Sequence, residues 1–426
     1  MLRQRGCWYK LTVVFISLAF LVPILAACGG SSGNQQTAAP VPTATATLAP
    51  NATVAPTATP TATVAPTATA TPSPTPNTQP VKIGELIAWS GPAAAAGFLG
   101  DQVIAVVQAE VKDMGGVLGG RPLQIVRYDS GSTTAGVVSG WAKLALQEKV
   151  AAVCQGGISV ADLIASASQA QQYRTLFLNP GVDPVDLSNN PYVARSAPNQ
   201  AAQTKNIADF IQNKLQPKTI AFIGPNDPGT VETEGIIEAQ LKAGGAKTVY
   251  NEYPAFDVVD YSPYLTRIKF ENPDVLIGFF GAPDPFLTVQ KQISDLGGWG
   301  RTKFVAAYAT ASFAAQLPGA QGTYFWSLWV PGVYPASQKF EQNFTKINNS
   351  ALTLLHMYYY AGLWTAINAI QLAGTDDPQA VAQASRSGKL QWDSPMGPMT
   401  IAANGENNLT GQIVQIGSGG QFTVVR

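Results

Sequence analysis

The sequence predicts an α/β protein with two doubly wound parallel-sheet lobes, preceded by a long stretch that builds no core. Three observations carry this. From Val81 onward, short apolar strands alternate with helical stretches and end in turns rich in Gly, Pro and Asn, as in a parallel sheet covered on both faces. The alternation runs through one set of units and then restarts. The first eighty residues are instead an apolar leader and an Ala/Thr/Pro tract.

In the first set, Val81–Ala88 is a strand that stops at the turn Trp89-Ser90-Gly91-Pro92 and opens a helix running from Ala93 to Gly115-Gly116. Such a turn presents backbone N–H groups at one edge of a sheet, where ligands sit in α/β folds. Ser90 can equally cap the helix, and Trp89 can equally be core. Pro122–Tyr128 is the next strand, Thr134–Glu148 a helix, and Val150–Cys154 a strand. Gly156-Gly157 opens a helix over Ser159–Gln172, and Arg174–Leu178 leads into Asn179-Pro180-Gly181.

The second set begins with a helix at Ala201–Leu215 and the strand Thr219–Ile223. Helices follow at Thr230–Ala243, Tyr261–Phe270 and Phe286–Leu296, with strands at Thr248–Tyr253, Asp274–Phe280 and Lys303–Ala307. Thr323–Val333 is a strand leading away. Leu352–Ala373 is an aromatic-rich helix, and Asp376-Asp377-Pro378 starts another, the aspartates serving as caps. Met399–Ala402 and Gln412–Val425 are strand-like, with a hairpin signal at Gly419-Gly420.

The leader has a basic start (Arg3, Arg5, Lys10), the apolar run Leu11–Ala27 and then Cys28, which reads as an export signal. Leu25-Ala26-Ala27-Cys28-Gly29 resembles the lipobox of bacterial lipoproteins, which implies a lipid on Cys28; ordinary cleavage at the same small residues is the alternative. Cys7 leaves with the leader, so Cys154 has no partner for a disulfide and reads as a small buried apolar residue. Gly29–Pro80 has almost no charge and repeats VAPTAT, so it reads as an extended tether of up to roughly 160 Å at about 3.1 Å per residue.

Composition narrows the function. The 26 basic and 26 acidic residues balance, and losing Arg3, Arg5 and Lys10 leaves 23 basic against 26 acidic. With no basic patch, nucleic acid is not an expected partner. The one histidine, His356, has no second ligand for a metal, and no phosphate loop, serine elbow or dinucleotide fingerprint is present. Neither a catalytic set nor a cofactor or metal is expected. An exported, tethered, two-lobed chain of this kind suggests a receptor that closes on a small molecule.

At this point the residues resemble a known family: the type I solute-binding proteins of ABC transporters, in the branch that includes branched-chain amino acid receptors. VKIGELIAWSGPAAAAG is similar to its first strand and Ser-Gly-Pro turn. GGRPLQIVRYDSGSTTAGVVSGWAKLALQEKVAAVCQG is similar to its next two units. YYAGLWTAINAIQLAGTDDPQAVAQA, followed by MGPMTIAANGENN, is similar to its last helices and final crossing. The resemblance covers Val81–Arg426. It implies a three-segment hinge, with crossings near Ser196–Pro198, Trp326–Pro331 and Met396–Met399. The expected organisation is leader 1–27, lipidated Cys28 and tether 28–80, lobe 1 at 81–197 plus 330–397, and lobe 2 at 198–329 plus 398–426.

In the family's amino-acid receptors two first-lobe loops hold the ligand carboxylate. By resemblance these match Gly156–Ser159, with Ser159 as a candidate contact, and Asn179–Asp183, where Asp183 takes the place of a threonine. The residues that hold the ammonium fall on Tyr308 and Ala282, and an aromatic after the turn falls near Ala96. The amino-acid clamp is thus largely missing. Trp89, Phe280 and Tyr308 would line the cleft, with Ser159, Asp183 and Asp227 as polar contacts; Asp183 also fits a turn and capping role, and Asp227 a turn-forming one. This suits a neutral, aromatic, amide-like or cationic ligand better than a free amino acid. The implied partners are the small-molecule ligand, the membrane subunits of an ABC permease and, through the N-terminal lipid, the outer face of the cell membrane. A sensor of the same fold without transport and a ligandless structural lipoprotein are the alternatives.

Overall fold

The structure, a computed structural model, describes residues 77–426 apart from 158, 182–186, 188, 256–257, 281–282, 308–319, 419–420 and 426. The leader, Cys28, the tether up to residue 76, Asp183, Tyr308 and the Gly419-Gly420 turn lie outside the described residues.

The first sheet is built from β1 (Val81–Ile87), β2 (Leu123–Asp129), β3 (Ala152–Cys154), β4 (Leu176–Asn179) and β5 (Val193–Arg195). All neighbours are parallel, in the order β2-β1-β3-β4-β5. Both faces of β1 are buried, which is why it reads as a continuous apolar run. Leu86 packs with Trp141 and Leu144 on one face, while Ile83 and Ile87 belong to the larger core on the other. The covering helices are α1 (Ala95–Asp113), α2 (Thr134–Ala142, continued as a π turn to Glu148) and α3 (Val160–Tyr173). Strand order reverses between β1 and β3, and a crevice opens at the carboxyl ends of strands at such a reversal.

The second sheet takes β6 (Thr219–Ile223), β7 (Lys247–Glu252), β8 (Val275–Phe279), β9 (Lys303–Ala307) and β10 (Tyr324–Ser327) in parallel. Two late strands, β13 (Gln412–Ile416) and β14 (Phe422–Val424), extend it antiparallel beyond β10. Its helices are α4 (Gln200–Phe210), α5 (Pro228–Ala243), α6 (Ser262–Glu271) and α7 (Pro283–Asp295). After β10 the chain returns to the first sheet, where α8 (Pro335–Asn348) packs on α1 and α9 (Leu354–Ala373) packs on α1, β3 and β4. Helix α10 (Pro378–Ser385) and the hairpin of β11 (Gln391–Ser394) with β12 (Gly397–Thr400) complete that side before the last crossing to β13. The chain therefore passes between the sheets after β5, after β10 and after β12.

The sequence reading puts no helix between Val333 and Leu352, where α8 stands. Its apolar content is sparse, and only Phe340 and Phe344 anchor it in the core, with Pro335 setting its first turn. Strands β5 and β11 are short, at three and four residues, and were not read either.

His356 is a cap, not a ligand. Thr353 begins α9, and the His356 Nδ1 accepts its backbone N–H at 2.9 Å, which leaves Nε2 to donate to Gln102 Oε1 at 2.8 Å. Burial lowers its pKa from 6.5 to about 4. The unfolded chain therefore takes up this proton at higher pH than the folded one. Stability from this group is full above pH 6.5 and is lost as pH falls toward 4. Melting temperatures measured across that window should fall more steeply for the parent than for His356→Gln; parallel curves would refute the assignment.

Candidate functional site

The turn after β1 offers its N–H groups to an anion, but the anion is internal. Asp129, at the end of β2, accepts the backbone N–H groups of Trp89 (2.8 Å), Ser90 (3.1 Å) and Gly131 (2.8 Å) on one oxygen. Burial opposes ionisation there, yet the Ser90 hydroxyl and these N–H groups together hold the carboxyl below the usual carboxylate range. The loop is pinned to the neighbouring strand and not left open to a ligand. Ser132 adds to this, receiving the Ala93 N–H and donating to the Ser90 carbonyl.

Beside this loop lies a cavity of about 420 Å³ at the carboxyl ends of β1, β3 and β4. Its walls come from the turn before α1 (Ala93) and its first residues (Ala95, Ala96), from α3 (Leu163), from the loop after β4 (Pro180, Gly181) and from α9 (Leu355, Tyr358, Tyr359). The loop after β3 supplies Gln155 and Gly157. The surface is largely apolar and carries no charged side chain among its lining residues.

The β3 loop is held in an unusual path. Gln155, Gly156 and Gly157 all have positive φ, at 71°, 74° and 116°. A Cβ on Gly156 would stand 2.5 Å from the Phe177 ring, and one on Gly157 would stand 2.3 Å from Asp162 Cβ, so both positions require glycine. Gln155 adopts the left-handed region without that freedom, a form of strain that collects at functional sites. The Gly156 carbonyl accepts the Ser166 hydroxyl at 2.6 Å, and Ser166 in turn accepts the Trp141 indole N–H, wiring the loop into the core. The β4 loop is fixed from both sides: Asn179 accepts the Gly181 N–H, and Arg195 donates to the Gly181 carbonyl at 2.7 Å.

Three buried groups beneath this surface escaped the sequence reading. Glu85 on β1 is wholly buried, and among the described residues neither carboxyl oxygen has a well-formed hydrogen bond. Burial raises its pKa well above the ordinary carboxylate value, with the nearby Gln155 amide partly opposing the shift. Gln155 is 1% exposed and both of its amide atoms also lack a well-formed hydrogen bond. Tyr359 carries the electrostatic influence of Glu85, which with burial raises its own pKa. The one available signal was an acid inside an otherwise apolar strand, a position whose exposure a single sequence does not reveal.

The residues singled out from the sequence are dispersed. Trp89 packs against Gly97 and Gly100 of α1, and its indole N–H donates to Asp101, so it stands behind the cavity and not in its wall. Ser159 is exposed at the start of α3 and forms a capping box with Asp162, two residues from the lining Gly157. Asp227 caps α5 by accepting the Thr230 N–H. Phe280 is a correction: it directly follows β8 and is fully buried in the second lobe's core, edge-on to Tyr261 and against Phe286, while its neighbour Phe279 belongs to the other core cluster. Among the described residues no three His, Cys, Asp or Glu side chains come together as a metal site.

A family model described as periplasmic binding protein matches residues 80–421. A Leu/Ile/Val-binding protein of Rhizobium johnstonii is 27% identical over 347 residues, 76% of this chain and 88% of its own length. A Leu/Ile/Val-binding protein homolog of Brucella abortus is 26% identical over 211 residues, 47% of this chain, and the chain spans about half of that relative's length. Among solved structures, an ABC-transporter solute-binding protein from R. palustris in complex with 4-hydroxybenzoate aligns with a TM-score of 0.65 at 20% identity, covering 82% of this chain and 96% of that one.

Proposed function

The chain belongs to the periplasmic binding protein family, whose members bind solutes and are not enzymes, and from that premise we propose that it captures a small organic ligand outside the cytoplasm and hands it to an ABC importer. The observation that carries the reading is the cavity at the strand-order reversal of the first sheet, of a size for a ligand with an apolar or aromatic body. The relatives point the same way. Two are named for binding Leu, Ile and Val, and one was solved with 4-hydroxybenzoate. All of these ligands join an apolar body to a polar head. Small side chains at Ala93 and Ala96 leave room for a bulkier body than a simple amino acid. Ser159 at the mouth, with Asp183 and Tyr308, remain candidate polar contacts, and closure of the two lobes would bury the ligand. A lipid on Cys28 and the tether to residue 80 would hold the receptor at the outer face of the membrane.

A thermal-shift panel of amino acids, aromatic acids, amides and amines tests this on the purified protein. A ligand at about 100 times its Kd should stabilise the chain by about 2.7 kcal/mol. Ala96→Phe, which places a ring in the cavity, should remove that shift while leaving the unliganded melting temperature close to the parent's. If no compound stabilises the protein, or if Ala96→Phe responds as the parent does, the site is wrong.

A further inference from the structure

We infer that a groove beside the crossing after β10 is a second small-molecule site, separate from the first-lobe cavity, and that it takes an apolar or aromatic body carrying one cationic group. The groove holds about 550 Å³. Its walls include Trp329, Val330 and Pro331 of the crossing, Glu341 of α8, Leu352 between α8 and α9, and Phe422 of β14. It shares no lining residue with the cavity at the ends of β1, β3 and β4. Both lobes contribute: α8 packs on α1 of the first, and β14 is the edge strand of the second sheet. A molecule seated here touches both lobes at the point where the chain passes between them.

Glu341 selects the charge. It is the only charged side chain among the described lining residues, whereas the first-lobe cavity has none. It is half-buried and forms part of the wall itself. Its position is fixed from behind. Oε1 accepts the Gly332 N–H at 2.9 Å and the Ser337 hydroxyl at 2.6 Å, and Ser337 accepts the Trp329 indole N–H at 2.7 Å. Ser337 is wholly buried and Trp329 nearly so, so this chain of bonds ties the carboxylate to the core of the crossing. Gln338 adds a second tie, donating to the Gly332 carbonyl at 3.0 Å. Among the described residues Oε2 takes no hydrogen bond or ion pair.

A ligand cation therefore meets a carboxylate whose rotamer is already set and whose second oxygen is open, which lowers the entropic cost of pairing. A ligand carboxylate is repelled by the same charge, and a neutral head gains no charge attraction. The aromatic rings of Trp329 and Phe422 in the lining suit a cation as well.

Calorimetry on the purified protein with phenethylamine, 2-phenylethanol and 3-phenylpropionate tests this. All three carry a phenyl ring on a two-carbon arm and differ in the charge of the head. At low salt phenethylamine should bind about fivefold more tightly than the other two, the worth of one partly exposed ion pair, and about 1 M salt should erase that margin. Glu341→Gln keeps an oxygen for Gly332 and Ser337 and removes the charge, so it should melt with the parent and bind the three probes alike. Phe422→Ala, on the second lobe's side, should weaken phenethylamine severalfold and keep the preference for it, which preserves the test if Glu341→Gln folds poorly. Ala96→Phe, which fills the first-lobe cavity, should leave phenethylamine affinity at the parent value. No binding of phenethylamine, equal affinity for the three probes, a preference untouched by Glu341→Gln, or loss of phenethylamine binding in Ala96→Phe overturns the inference. A ligand of the first-lobe cavity is indifferent to Glu341→Gln, so failure here and failure of that reading are distinguishable.

Discussion

Gly157→Val is expected to destabilise the fold by about 3–4 kcal/mol and to abolish ligand-induced stabilisation. Two costs add. The φ of 116° is a conformation that β-branched residues avoid, and holding one there costs about 1–3 kcal/mol. The new Cβ would also stand 2.3 Å from Asp162 Cβ and 2.9 Å from its Cγ. Asp162 is no flexible tip that can step aside. It accepts the Ser159 N–H, its own N–H donates to Ser159 Oγ, and it receives the Thr134 hydroxyl at 2.6 Å. Displacing it undoes the cap of α3, worth about 1 kcal/mol. The wall then shifts on two sides, since Gly157 and Leu163 of α3 both line the cavity. Chemical denaturation reads the first effect and the thermal-shift panel the second. A variant that melts with the parent and keeps its ligand response would show that the loop is not held as described.

The contrast between what was and was not legible in the sequence has a physical basis. Strand β1 was readable because two buried faces leave an unbroken apolar run, and the cap at Asp377 was readable because it serves an N–H three residues away. The roles that escaped depend on distant partners. Asp129 looked like the end of a strand, yet it closes the loop forty residues earlier. Glu85 lies unremarked in an apolar strand, and only the fold brings Cys154 of β3, Gln155 and Tyr359 around it. The aromatic run in α9 divides in the fold: Tyr360 donates to Glu110 of α1 inside the core, while Tyr358 and Tyr359 reach the cavity. Helical spacing gives the direction of each side chain but not the neighbour it meets.

Arg195→Met is expected to cost about 2–3 kcal/mol and to weaken ligand binding as well, because one buried side chain ties the crossings to the cavity. Arg195 ends β5, and its side chain is 1% exposed. Its Nε donates to Glu406 Oε2 at 3.0 Å and its Nη1 to the Gly181 carbonyl in the cavity wall at 2.7 Å. Its backbone is bound to the same late segment, donating to the Gly405 carbonyl and accepting from Asn407 Nδ2. Asn199, at the start of α4, donates to the same Glu406 oxygen. Thus the chain leaving the first sheet after β5 and the chain leaving it after β12 are laced together, and the lacing reaches the β4 loop. Removing one member of a buried ion pair costs about 3–5 kcal/mol, and the partial exposure of Glu406, 25%, brings this case below that range. Methionine keeps the volume but strands the Gly181 carbonyl, which frees the cavity wall to move. Arg195→Lys tests the geometry separately: a single ammonium cannot hold the forked arrangement between Glu406 and Gly181, so it should recover part of the stability and less of the affinity. If Arg195→Met lowers stability but leaves ligand affinity at the parent value, the arginine serves the crossings alone, and the link to the cavity is refuted.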